Sequence, residues 1–317
     1  MSDTNPRPEP QSAAAVLMVR PAAFGFNPET AASNAFQHQH GMDREVQAAA
    51  IHEFDAVVAA LRQAGIEVLV VADSESPVKP DAIFPNNWVS FHHDGTVALY
   101  PMLAPNRRAE RREGILDEVT HRGGFRVSRL VDFSHREQEG KYLEGTGSMV
   151  LDRSGRVAYA CVSPRTDLDV LGEFAQQLDY ELVTFDALDA AGQPIYHTNV
   201  MMALGTGFAV LCGECIESAA HREAVMNKLR ASQRQIIDIT RRQMQHFAGN
   251  VLELSAPQGL VLALSQSALE AFEAEQRRQL ERHARLLPVS IPQIERFGGG
   301  GIRCMLAEIH LPKRRMS

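Results

Sequence analysis

The sequence predicts an α/β fold of five repeated strand–strand–helix–strand units arranged as a ring that the N-terminal segment closes. Three observations predict it. One order of apolar runs recurs along the 317 residues. The helix expected over residues 43–65 carries Val46, Ala50, Phe54, Val57, Val58 and Leu61 at three-to-four spacing, which is one apolar stripe. Five polar residues near the start of each unit's first strand, Asn87, Glu144, His197, Asn250 and Cys304, are 57, 53, 53 and 54 positions apart. Equivalent positions in a pseudo-symmetric ring point to one place near its axis, so these five residues are expected to converge.

In chain order, "AAVLMVR" (14–20) reads as a strand, then comes the 43–65 helix, and "IEVLVV" (66–71) is a strand. The next unit has strands over 81–92 and 96–102 around the turn His93-Asp94-Gly95, a helix over 106–123 and a strand over 125–133. Strands at 145–153 and 156–163 flank Ser154-Gly155, before a helix over 167–179 and a strand over 180–185. The third set is 195–204, 207–212, helix 217–232 and strand 235–240. The fourth is 248–255, 260–265, helix 267–284 and strand 285–291. The fifth begins at "GIRCMLAEIH" (301–310), and the strand, helix and strand at the N-terminus supply what it lacks. Units that each lack a complete core bury their faces on neighbours, and a closed ring leaves few strand edges bare.

Composition bounds the function. The chain is 44% hydrophobic and 22% charged with net charge −7, and its basic residues form no long stripe, which argues against a nucleic-acid partner. No apolar run reaches the roughly 18 residues of a membrane span. Residues 1–12 read as a disordered tail, leaving one catalytic domain over 13–317. Four cysteines make no disulfide framework, so a reducing cytoplasm is expected, where a free thiol can be a reagent.

Cys304 follows four glycines in "RFGGGGIRC". Glycine admits backbone geometry closed to other residues and offers bare N–H groups to an oxyanion. His197 shares the register of Cys304 and can exchange protons with a thiol and a leaving amine. Glu144, before Gly-Thr-Gly, suits the carboxylate that orients such an imidazole. No dinucleotide or phosphate-loop fingerprint surrounds those glycines, and no cofactor is expected. Cys212 and Cys215 form one CxxC with no second pair to complete a zinc site, so no metal is expected. Cys161 reads as core. His38 and His40 sit in a loop that is either a lid or simply solvated.

"LEG", a histidine followed two residues later by an amide, and "GGGGIRC" resemble the arginine deiminase and amidinotransferase superfamily over residues 14–311. Its members share the pentein fold, a five-bladed α/β propeller. "PNNWVSFH", "LEGTGSMVLDR" and "IYHTNVMM" resemble the citrulline utilization hydrolases most. The resemblance implies that Cys304 is the nucleophile, His197 the general acid/base and Glu144 its partner. It implies that Arg165 holds a substrate carboxylate, the alternative being a surface ion pair, and that Asp81 contacts the amino or guanidino side. Asn86, Asn87, Asn199 and Gly301 complete the expected substrate contacts.

Arginine-using deiminases carry Arg-Asp where this chain has Asn86-Asn87, and His-x-Asp where it has His197-Thr198-Asn199. A buried cation needs counter-charge, whereas a neutral ureido group is matched by amides. The sequence therefore favours hydrolysis of citrulline to ornithine, carbon dioxide and ammonia through a covalent Cys304 intermediate. The alternatives are a deiminase or dihydrolase of arginine or a derivative, an amidinotransferase, and a silent pentein that only binds. The expected partner is a small ureido or guanidino amino acid, with self-association left open.

Overall fold

The computed structural model describes residues 9–31, 33–38 and 44–314. Its strands are β1 (Ala15–Arg20), β2 (Glu67–Ala72), β3 (Val89–Phe91), β4 (Thr96–Leu99), β5 (Arg129–Asp132), β6 (Val150–Asp152), β7 (Val157–Cys161), β8 (Glu181–Phe185), β9 (Met202–Leu204), β10 (Phe208–Leu211), β11 (Gln235–Asp238), β12 (Leu252–Ala256), β13 (Gly259–Ser265), β14 (Arg285–Val289) and β15 (Ala307–Glu308). They form five three-stranded sheets with one plan. The central strand pairs antiparallel with the first and parallel with the third: β4 with β3 and β5, β7 with β6 and β8, β10 with β9 and β11, β13 with β12 and β14. A parallel neighbour needs a crossover, and helices Glu113–His121, Leu168–Leu178, Ala219–Ala231 and Ala274–Glu281 supply it. In the fifth sheet β1 is central, antiparallel to β15 and parallel to β2 across the helix Arg44–Gln63. The two ends of the chain thus meet in one sheet.

Apolar side chains pack between units. Val150 and Tyr159 of the β6–β8 sheet share a core with Met202 and Val210 of the next sheet and with Leu262 and Leu264 of the one after. The stripe Val46, Ala50, Phe54, Val57, Val58 and Leu61 is buried throughout.

The structure corrects the sequence reading in three places. The expected strand starts are turns: Pro85–Asn87, Gly145–Ser148, Thr198–Val200 and Ile302–Met305 are short helical turns that precede β3, β6, β9 and β15. Two expected helices are broken. Residues 106–123 split into Pro105–Arg108 and Glu113–His121, because Arg107 and Glu110 turn inward and pair. Residues 267–284 split at Phe272, which is buried, and Glu273 with Gln276 starts the second piece by a capping box. The expected tail over 1–12 does not hold for residues 9–12; residues 1–8 lie outside the described residues. Glu9 is buried and accepts from Arg153 Nη1 at 2.8 Å and Arg156 Nη1 at 3.0 Å. Gln11 bonds the Leu151 carbonyl and the Arg153 amide, and Ser12 bonds Glu253.

No helix among the described residues is long and apolar enough to cross a membrane.

Candidate active site

The short turns carry the site. Asn87 ends the Pro85–Asn87 turn, Glu144 and His197 each stand immediately before one, and Cys304 lies within Ile302–Met305. A turn presents one side chain at an angle the pleat of a strand would not allow. Asp81, Asn87, Arg165, His197 and Cys304 line one cavity, with Asn34, Phe84, Arg107, Tyr196 and Gly298 to Gly300.

His197 Nε2 lies 2.8 Å from Glu144 Oε2, and both side chains are buried. Burial lowers the imidazole to about 4 despite the support of Glu144, so it is neutral at pH 7. Burial raises the Glu144 carboxyl, but Arg165, the bond from His197 and Arg107 together hold it well below its ordinary range. Arg165 Nη1 is 3.3 Å and Arg107 Nη1 3.8 Å from its Oε2. Cys304 is 4% exposed. Asn250 Nδ2 approaches its sulfur at 3.3 Å and Asn199 Nδ2 at 3.6 Å. Burial raises the thiol pKa, and the asparagine contacts offset that only in part.

Glycines permit the closeness. A Cβ on Gly147 would stand 2.8 Å from the His197 ring and 2.6 Å from Asn87 Nδ2. Gly299 has φ +64, the left-handed region that glycine enters freely. Gly301 does not line the cavity; it faces Asn250, and its carbonyl accepts from the Cys304 amide at 3.1 Å.

The expected amides are already engaged. Asn87 Oδ1 accepts from Arg107 Nη1 at 2.8 Å, and Asn87 Nδ2 donates to Asn86 Oδ1 at 3.1 Å. Asn86 Nδ2 reaches Thr146 Oγ1 at 3.3 Å. Arg165 is 2% exposed, so it is not a surface ion pair. Its Nη2 donates to Ser33 Oγ and the Thr30 carbonyl, and its guanidinium lies over the Tyr196 ring. Asp81 accepts from Asn27 and Thr30.

Sequence reasoning missed Arg107, which it placed only within the expected 106–123 helix. It noted Asn250 as an equivalent position but gave it no role. It also missed the strap of Thr30, Ser33, Asn34 and Gln37 that ties Asp81 and Arg165 to the Gly298 and Gly299 carbonyls. Within that loop the His38 amide bonds the Arg296 carbonyl, and His40 lies outside the described residues.

The family described as N,N dimethylarginine dimethylhydrolase, eukaryotic, matches residues 20–311. The chain belongs to that family. Dimethylarginine dimethylhydrolases are C–N hydrolases of a guanidino amino acid and fall within the pentein superfamily. Solved structures share the fold. The N-terminal domain of ArgZ, an arginine dihydrolase from the ornithine-ammonia cycle in Cyanobacteria, matches in a substrate-bound mutant with TM-score 0.69 and 18% identity, covering 92% of this chain and 96% of that one. A mutant of AgrE with L-arginine matches with TM-score 0.71 and 19% identity over 95% of this chain, which spans 40% of that longer one. A dimethylarginine dimethylaminohydrolase adduct with S-methyl-L-thiocitrulline matches with TM-score 0.64 and 16% identity, covering 94% of this chain and 100% of that one. No curated protein matches.

The remaining cysteines lie apart from this cavity. Cys212 and Cys215 are buried with sulfurs 3.1 Å apart, and Cys161 is buried on β7. Among the described residues, no group of three or more His, Cys, Asp or Glu is placed to hold a metal ion.

Proposed function

We propose that this chain hydrolyses the guanidino group of arginine or an N-substituted arginine, releasing an amine and a ureido amino acid through an intermediate on Cys304. One observation carries the choice of substrate charge. Three buried acids, Asp81, Glu110 and Glu144, surround two buried guanidinium groups, Arg107 and Arg165. With Glu110 ionised, as it is above about pH 7, one negative charge is in excess. A substrate of net charge +1, as arginine is, balances it, and burial makes that balance worth several kcal/mol. Citrulline, with no net charge, does not. The amide argument for citrulline also weakens, because Asn86 and Asn87 already spend their oxygens on Asn87 and Arg107.

The sequence of steps follows from the groups present. In the empty site the thiol is protonated and the imidazole neutral. A guanidinium beside the sulfur lowers the thiol pKa, so cationic substrate creates its own nucleophile. The Cys304 thiol passes its proton to His197 as the sulfur attacks the guanidino carbon. The imidazolium so formed protonates the departing ammonia or amine as the C–N bond breaks, leaving a thiouronium group on sulfur. His197 then takes a proton from water, which attacks the same carbon and releases the ureido product and the thiol. Glu144 holds the imidazole throughout. We further read the five sheets as blades of a closed ring about this cavity; the meeting of turns from separate sheets there supports that reading.

Separate incubations with L-arginine, N,N-dimethylarginine and L-citrulline test the proposal, with amine, citrulline and ornithine measured individually. Citrulline should accumulate from a guanidino substrate with no amine acceptor added. Ornithine formed from citrulline, with guanidino compounds untouched, overturns it.

A further inference from the structure

Glu110 lies behind the cavity and does not line it. It is 2% exposed, and its oxygens accept from Arg107 Nε at 2.9 Å and Nη2 at 3.0 Å. The same guanidinium donates to Asn87 Oδ1 at 2.8 Å and to the Phe84 carbonyl at 3.3 Å. Two other carboxylates stand just out of bonding range, Asp81 at 3.9 Å and Glu144 at 3.8 Å. A buried guanidinium takes the best carboxylate offered, and a two-pronged pair outcompetes a single contact.

We propose that Glu110 is a positioning residue: its two-pronged pair with Arg107 keeps that guanidinium on Asn87 and away from Glu144 and Asp81. This rests on the hydrolase reading for its kinetic consequence, though the geometry stands without it. With Arg107 so held, Glu144 is left to His197 and Asp81 keeps its charge facing the cavity. The same pair fixes the amide of Asn87, whose oxygen faces Arg107 and whose nitrogen lies on the side of His197. Without Glu110 the guanidinium falls onto Glu144, and the imidazole loses part of its carboxylate.

The arrangement has its own pH signature. Burial pushes Glu110 up to about 7 against the pull of Arg107, helped by the like charges of Asp81 and Glu144. As the pH falls through that range Glu110 takes a proton and loosens Arg107. His197 titrates lower and the thiol higher, so a limb near neutrality is assignable.

The experiment compares the wild type with Glu110→Gln and Glu110→Asp. With L-arginine or N,N-dimethylarginine as substrate, kcat/KM of the Gln variant should fall on the order of 10- to 100-fold, the scale found for outer partners of metal ligands. The limb near pH 7 should vanish, while Glu110→Asp, which keeps the charge on a shorter arm, should show a limb at a displaced pH. An NMR titration of His197 needs no substrate, and its pKa should drop further in Glu110→Gln. If the wild type ignores every guanidino compound but the His197 shift appears, the substrate reading fails and the positioning role stands. Should Glu110→Gln not fold, the Asp variant must still show a displaced limb and a displaced His197 titration. A folded Gln or Asp variant with wild-type kinetics, limb and His197 pKa overturns the role.

Discussion

At Cys304 the local chemistry sets a resting state that is unreactive. Burial raises the thiol, and the neighbours that touch it are amides rather than cations. Alkylation of Cys304 by iodoacetamide in the ligand-free protein should therefore be slower at pH 7 than for a free thiol and climb above pH 9. Alkylation already fast at pH 7 contradicts the burial argument. Cys304→Ala should end amine release while leaving the far-ultraviolet circular dichroism unchanged; residual turnover would remove the nucleophile assignment. Glu144→Gln keeps the shape but not the charge that supports His197, and kcat should fall ~100-fold to ~10,000-fold, as read by steady-state kinetics. These three residues were legible because each stands at an equivalent place in a repeat of about fifty-odd positions. Arg107 and Glu110 were not, since nothing in "NRRAERREG" separates the two charges that turn inward from the four that do not.

Among the elements, what the chain disclosed depended on periodicity. Helix Arg44–Gln63 buries the stripe its spacing announced. The turns before β3, β6, β9 and β15 carry no period, only Pro85, Gly145 or Gly301 nearby, so they merged with the strands that follow. The strap of Thr30, Ser33, Asn34 and Gln37 was invisible for the same reason: it is held by single polar contacts to Asp81, Arg165 and the glycine carbonyls. Gly299 tests that contact surface. A side chain there would meet φ +64 and stand 2.6 Å from Asn34 Nδ2. Gly299→Ala should cost about 1 kcal/mol or more, lowering the thermal midpoint, and should raise KM more than it lowers kcat because the strap is displaced. Unchanged KM would show that the strap does not bear on binding.

For the molecule as a whole, acid should be destabilising through three buried histidines, partly offset by Glu110, Glu53 and Glu295, whose carboxyls burial raises. His92, His197 and His310 are buried, and burial lowers each of them, His197 to about 4. In the unfolded chain they titrate near 6.5. Their folded values lie below their unfolded ones, so the unfolded state takes up protons first. Stability that is full above pH ~6.5 is lost as the pH falls towards 4, by roughly 1 kcal/mol per pH unit for each histidine. Urea titrations at pH 7.5 and 5.0 should show a lower midpoint at pH 5.0; equal midpoints refute it. The α/β class and the repeated three-stranded plan were readable because five similar apolar patterns are hard to mistake. The anchoring of residues 9–12 was not, since Glu9, Gln11 and Ser12 look solvated until Arg153 and Glu253 are seen opposite them.

The sheet that joins the two ends has a consequence for biosynthesis. A ribosome emits β1 first and β15 last, and Cys304 arrives just ahead of β15. Until then the nascent polypeptide displays an open edge on β1, where another strand could pair. On the proposed assignment, a translation product released before residue 304 lacks the attacking sulfur and should be inert.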